Sequence, residues 1–280
     1  MISMLTQTLK KIGKKLIIAI IWLGIWQTMS AIVGLSAHIS SDTFTLDKLK
    51  NLIFSEEIWY SILLPSPVTT LSELIKLAVT ADFWKAVLFS VIRITIGFTA
   101  GTLAGVLTGA ISSFLKGFSD FLSPLVSIIK ATPVASFIIL AVIWLKTGNI
   151  PSFATALIVF PFVYSNIKTG FQETDRHLIE MSDAFGVSFG RKLLMLYIPS
   201  VKPYFISAAT TAMGLAWKAG IAAEVICNPT MSIGNGIYES KVYFEPTQMF
   251  AWTTVVIILS IILEKTMLLI LRKEKENDKA

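Results

Sequence analysis

Long, nearly uncharged runs alternate along this chain with short clusters of charge. Crossing the hydrocarbon core of a bilayer takes about 20 apolar residues of helix. Runs of that order occur six times, at 16–35, 87–114, 122–145, 150–167, 203–223 and 249–271. They are too long for barrel strands and lack the alternation that barrel strands require. In lipid the backbone must satisfy its hydrogen bonds within the segment, so each run is predicted to be a helix. The expected fold is an all-α integral membrane protein with six transmembrane helices.

The flanking charges give the orientation, because cytoplasmic loops retain Lys and Arg. Lys10, Lys11, Lys14 and Lys15 put the N-terminal segment 1–15 inside, and Arg272, Lys273, Lys275 and Lys279 put the tail 272–280 inside as well. The segment 36–82 carries Asp42, Asp47, Glu56, Glu57, Glu73 and Asp82 against Lys48, Lys50 and Lys76, as an external loop should. A Lys-rich start, an apolar run and small residues from 30 to 37 also give the first span the form of a signal peptide. Its removal would leave five spans and the same side for the C-terminus.

Composition narrows the class further. At 54% hydrophobic, 15% charged and a mean hydropathy of +0.71, the chain is excluded from soluble, disordered and coiled-coil classes. Its single cysteine, Cys227, excludes a disulfide framework and a multi-cysteine metal site, and no neighbouring His or basic pair activates it as a nucleophile. His38 and His177 fall in predicted loops with no second ligand at metal spacing, so no metal is expected. The excess of 24 Lys+Arg over 18 Asp+Glu lies largely at the cytoplasmic ends, where it sets topology, and does not point to nucleic acid.

Between the predicted spans, 64–67 (Leu-Pro-Ser-Pro) reads as extended or turn-like, with a short surface helix after it at 70–80. The second span carries Gly97, Gly101, Gly105 and Gly109, a four-residue spacing that lines one face and admits close helix packing. The cytoplasmic segment 168–202 is longer than a turn needs. Thr174 and Asp175 suit a helix start, and Leu178, Met181, Ala184 and Phe185 then share a face. Gly186 suits a left-handed stop, and Ser188 can cap a second helix ending before Pro199. Such an amphipathic pair can lie on headgroups, pack on its own bundle or dock into a partner's groove.

The residues Glu180-Met181-Ser182-Asp183-Ala184-Phe185-Gly186, with Ser188 and Pro199, resemble the EAA motif of bacterial ABC-importer permeases. Met181 and Ser182 stand where the family has two alanines, and Ile198 stands where it usually has leucine. Over roughly 64–263, further segments are similar to the nitrate, sulfonate and taurine subfamily: Leu64-Pro65-Ser66-Pro67, Ser90-Val91-Ile92-Arg93 with Gly97-Phe98, Lys130-Ala131-Thr132-Pro133, Ala216-Trp217-Lys218 with Ala222-Ala223-Glu224, and Gly234-Asn235-Gly236. The resemblance implies a multi-pass permease of the bacterial cytoplasmic membrane, working as a homodimer. It implies a cytoplasmic coupling helix between the fourth and fifth spans, within a five-helix core 83–271 whose coupling segment is 174–198. Glu180, Asp183, Ala184, Phe185, Gly186, Ser188 and Pro199 would then meet a cytoplasmic ABC ATPase dimer, and an extracellular or periplasmic solute-binding protein would dock outside. ATP and Mg would be held by the ATPase and no cofactor by this chain, which has no GxxxxGK[ST] phosphate loop.

Ionisable groups at membrane depth are costly and mark pathways or internal partners. Arg93, Lys130, Lys218 and Glu224 are such groups, and Pro133 and Trp217 neighbour two of them; a proline inside an apolar run, as at Pro133, kinks the helix and frees backbone carbonyls. These six are candidates for lining a translocation path, against snorkelling or internal pairing. Lys218 and Glu224, six residues apart, fall on different helix faces and should find separate partners. Three cations and one acid suit an anionic or zwitterionic solute. The rival readings are an ion-gradient-driven secondary transporter, for which no inverted repeat is visible, and an intramembrane enzyme, for which no nucleophile and base cluster within the spans.

Overall fold

The computed structural model describes residues 13–14, 17–18, 20–33 and 64–277, with side chains as far as 270. The expectations for 1–12 and 34–63, for parts of the first span and for the last tail residues lie outside the described residues. The described elements are helical, and they group into two compact units: the residues up to Ala81 with Gly236–Val255, and Asp82–Asn235 with the chain from Val256 onward.

In the smaller unit, α1 (Ile20–Val33) is a short apolar helix. Its Trp26 Nε1 donates to the Pro65 carbonyl at 3.0 Å and its Ser30 Oγ to the Leu64 carbonyl at 2.7 Å, so the proline-rich stretch keeps partners for carbonyls that no helix satisfies. Helix α2 runs Pro67–Ala78, starting three residues earlier than the expected 70–80. Proline at the first helical position lacks only an N–H that would be orphaned there anyway, and the Ser66 hydroxyl accepts from Thr69 N at 3.2 Å as the cap.

The larger unit is built around one helix. Helix α3 (Ala81–Phe114) is 34 residues long; α4 (Lys116–Ala131) and α5 (Val134–Trp144) follow, then a 3-10 turn (Thr147–Asn149) and α6 (Ile150–Gln172). After α7 (Arg176–Ala184) and α8 (Phe189–Lys192), a π-helical turn (Leu193–Tyr197) leads into α9 (Ile198–Cys227). Helix α10 (Ile233–Val242) and α11 (Pro246–Asn277) each begin in one unit and end in the other.

Helix α6 is central, because both its main neighbours present small residues. On one side the glycine seam of α3 meets it: a methyl placed on Gly101 would stand 2.6 Å from the Ala156 carbonyl oxygen, and one on Gly105 2.8 Å from Val163 Cβ. On the other side Ala209, Ala212 and Ala216 of α9 pack against Val159, Val163 and Ile167. Without a hydrophobic drive between helices in lipid, such close approach is what supplies the attraction. Leu122 and Val126 of α4 pack on Tyr164, and Ile138 and Ala141 of α5 on Ile150, Ala154 and Ala223.

Among the described residues three helices are long and apolar enough to cross a membrane (Ala81–Phe114, Thr147–Gln172 counting the 3-10 turn, and Pro246–Ile270), and the α4–α5 pair makes a fourth if it counts as one span. The kink expected at Pro133 is a full break in the helix: the run 122–145 bends by 104° between α4 and α5. Thr132 is extended, as the residue before a proline prefers, and Pro133 takes a ψ of 133° outside the helix, so the chain leaves helix for two residues. Pro124 and Pro161 remain inside their helices. The expected end of helix before Pro199 is corrected. The chain stays helical through Pro199, because the wider turn at Leu193–Tyr197 takes up the carbonyl that the proline ring would strike.

Candidate functional site

Helix α7 is an inverted amphipathic helix. Its N-cap is Asp175, whose carboxylate accepts from His177 N at 2.8 Å; Thr174 instead turns its hydroxyl back to the Gly170 carbonyl and closes α6. At the other end Gly186 N–H donates to the Asp183 carbonyl and Val187 N–H to the Ser182 carbonyl, both at 3.0 Å, with Gly186 at φ +64°. This is the Schellman closure, and its left-handed position is where glycine costs least. Between these ends Leu178, Met181, Ala184 and Phe185 are exposed, Phe185 at 79%, while Ser182 is the buried residue. Asp183 pairs with Lys192, tying α7 to α8 across the glycine turn. Ser188 stands at the N-cap of α8 without a side-chain capping bond, and Glu180 is exposed.

The ionisable groups at membrane depth separate into two kinds. Arg93 and Glu224 come together, with Nη1 and Oε1 3.7 Å apart. Glu224 is fully buried, and its Oε2 accepts from Ser90 Oγ at 2.7 Å and from Gly234 N–H at 3.2 Å. Ser90 Oγ also accepts from Ile233 N–H, and Ser232 Oγ accepts from Asn235 N–H, so three otherwise orphaned donors at the start of α10 are used. A carboxylate is well placed at such a helix start, where the peptide dipoles point their positive ends. Gly234 is needed because a methyl there would collide with Glu224 Cβ and stand 2.6 Å from Val225 N. Arg93 in turn donates to the carbonyls of Thr230 and Met231 at 3.2 Å each and lies over the Phe89 ring. The 228–232 loop, with left-handed Asn228 and Met231, is thereby clamped to α3.

The lysines behave otherwise. Lys130, just before the Pro133 break, reaches Ser165 Oγ of α6 at 2.7 Å and is exposed. Lys218 is exposed on α9. Among the described residues no carboxylate stands within ion-pair distance of either. Trp217 is turned inward, and its indole N–H donates to the Val256 carbonyl at 3.0 Å, joining α9 to α11.

Sequence reading missed several of these partners. Ser90 and Arg93 are three apart on one helix and so share a face; with Glu224 already singled out, that spacing was an available signal. Glu264 of α11, a second acid at membrane depth, lies against Gly214, where a methyl would stand 2.6 Å from its Oε1. Lys168 donates to the buried Ser119 hydroxyl at 2.6 Å. Phe114, Phe171, Phe189 and Tyr197, from four separate elements, form one aromatic cluster.

A bundle packed through small residues, with a broken span and an outward-facing amphipathic helix between apolar ones, defines a multi-pass membrane protein of transporter type. Residues 97–273 match the family described as the binding-protein-dependent transport system inner membrane component, and the chain belongs to that family. It is 32% identical over 171 residues to the putative aliphatic sulfonates transport permease protein SsuC of Escherichia coli, covering 60% of this chain and 65% of that one. The chain thus spans just under two thirds of that relative's length. It is 20% identical to the Bacillus subtilis protein of the same name, covering 67% of this chain and 68% of that one. Among solved structures, the MetNI methionine ABC transporter in inward-facing conformations shares the fold, with a TM-score of 0.53 at 16% identity over 68% of this chain and 93% of that one. An amino acid ABC transporter with histidines shares it with a TM-score of 0.51 at 18% identity over 74% and 94% of the two chains.

Proposed function

We propose that this chain is the membrane subunit of an ATP-driven importer for a small anionic or zwitterionic nutrient of the aliphatic sulfonate class, with six spans and both ends cytoplasmic. In this reading it works as a homodimer, with a dimeric cytoplasmic ABC ATPase and an external solute-binding protein, and is itself not an enzyme. The observation that carries it is α7: a helix between apolar helices that turns Leu178, Met181 and Phe185 outward and Ser182 inward leaves its apolar face uncovered among the described residues, which supports docking on another molecule. Its two closed ends and the Asp183–Lys192 pair make it a stiff contact, suited to transmitting movement. ATP-driven closure of the ATPases would draw two such contacts together and rock the bundles outward-open, and hydrolysis would reset them.

Within the bundle, Lys130, Pro133 and Lys218 are the residues assigned to the solute path. Arg93, Glu224 and Trp217 are assigned to holding the 228–232 loop and the α9–α11 contact, since their polar groups already meet internal partners. The test is co-purification in detergent with a cytoplasmic ABC ATPase co-expressed from the same genome, then uptake of an aliphatic sulfonate into vesicles holding both with the binding protein. M181E/F185E should abolish co-purification while the chain stays folded. Lys218→Met should lower uptake with ATP hydrolysis retained. Transport by the chain alone, without ATP, overturns the reading.

A further inference from the structure

Phe114 is the last residue of α3, and it meets three rings edge-on. Its centroid lies 5.2 Å from Phe171 near the end of α6, 5.4 Å from Phe189 at the start of α8 and 5.3 Å from Tyr197 at the end of the π turn, with interplanar angles of 72°, 77° and 83°. Phe171 and Tyr197 close the cluster at 5.6 Å. Edge-to-face pairs are directional, so such a hub resists rotation as well as separation.

The π turn is what brings two of these rings to one place. Phe189 and Tyr197 are eight residues apart, and at about 100° per residue a regular helix would set them about 80° apart around its axis. One extra residue accommodated in the π turn takes back about 100°, leaving the two rings within about 20° of one direction. Both then face Phe114. Behind them, the Schellman turn at Gly186 and the Asp183–Lys192 pair bind α7 to α8.

We propose that Phe114 is the joint through which displacement of α7 and α8 is passed to α3 and α6. It is a positioning residue, acting through the rings of Phe189, Tyr197 and Phe171 and touching neither solute nor nucleotide. The inference rests on the reading of α7 as the ATPase-facing segment of a homodimer.

The test uses the intact complex with its ATPase, in a Cys227→Ser background, with one nitroxide per chain and the distance between copies measured by electron spin resonance. A label at His177→Cys on α7 reports approach of the two contact segments, and a label at the exposed Leu107→Cys reports movement of α3. With native Phe114, both distances should shift on adding Mg-ATP with vanadate. In F114A the α7 shift should persist and the α3 shift should be lost, and F114Y, which keeps the ring, should restore it. An α3 shift that survives F114A overturns the joint and leaves the docking reading standing. An absent α7 shift, or no dipolar signal between copies, with Phe114 intact overturns the docking reading and the joint with it. If F114A does not assemble, Phe189→Leu decides from the other side of the joint by the same two distances.

Discussion

Adding a single methyl group at Gly101 should destabilise the bundle, although alanine is the better helix former. The methyl would stand 2.6 Å from the Ala156 carbonyl oxygen, 2.9 Å from Val159 Cβ and 3.0 Å from Ala156 Cα, so two of the three obstacles are backbone that cannot rotate away. Restoring ordinary contact at about 3.5 Å requires α3 and α6 to separate by about 1 Å. That opening loosens the rest of the seam, since Gly105 and Gly109 approach α6 nearly as closely. Overpacking of this kind costs about 1–3 kcal/mol, and the gain in helix propensity returns about 1 kcal/mol. With backbone as the obstacle the cost falls in the upper part of its range, and Gly101→Ala should lose about 1–2 kcal/mol net. The apparent melting temperature of the purified chain in detergent should then fall by roughly 2–8 °C. Gly101→Val, larger and with less propensity to regain, should fall further. Gly117 is the control, because a methyl there meets nothing within 4 Å, and Gly117→Ala should leave stability unchanged or slightly raised. A Gly101→Ala protein as stable as the parent would refute the steric argument.

Glu224→Ala should cost about 3–5 kcal/mol in the same thermal assay, since it strands Arg93, Ser90 and the Gly234 N–H together. Arg93→Ala should be similarly damaging, and the double variant less than the sum of the two, which a double-mutant cycle measures. Gly186→Ala forces a side chain into the left-handed region at φ +64° and should cost about 1–2 kcal/mol, read as weakened ATPase co-purification. Trp217→Phe removes the indole donor to the Val256 carbonyl and should lower stability by about 1 kcal/mol without changing any bound partner.

Much of this architecture was legible in the linear pattern, for reasons particular to lipid. Because backbone groups cannot be left unpaired in hydrocarbon, apolar runs such as 87–114 and 150–167 announce helices directly. A four-residue glycine period can only be one face of a helix, and on α3 that face is the one laid against α6. At Gly186 and Asp175, local backbone demands select the residue type, so the limits of α7 could be read to within a residue. What failed was local geometry with two solutions. The kink expected at Pro133 is there, as a 104° bend, but the stop expected before Pro199 is not, and Pro124 and Pro161 stay inside their helices although the composition looks alike at all four.

Which side chains meet across the bundle was decided only in three dimensions. Glu224 and Lys218 share a stretch of helix, yet one is enclosed by Ser90, Arg93 and the start of α10 while the other is exposed, because helices far apart in sequence surround one face and not the other. The cluster at Phe114 likewise draws on four elements and on a π turn that no residue type announces. The sequence by itself determined the solvent: length and hydropathy of its segments suffice, because insertion into lipid is a property of each helix taken alone. Pairing of charges and rings depends on how helices rotate and cross, which is set by the sum of many weak packing contacts, and so belongs to the tertiary structure.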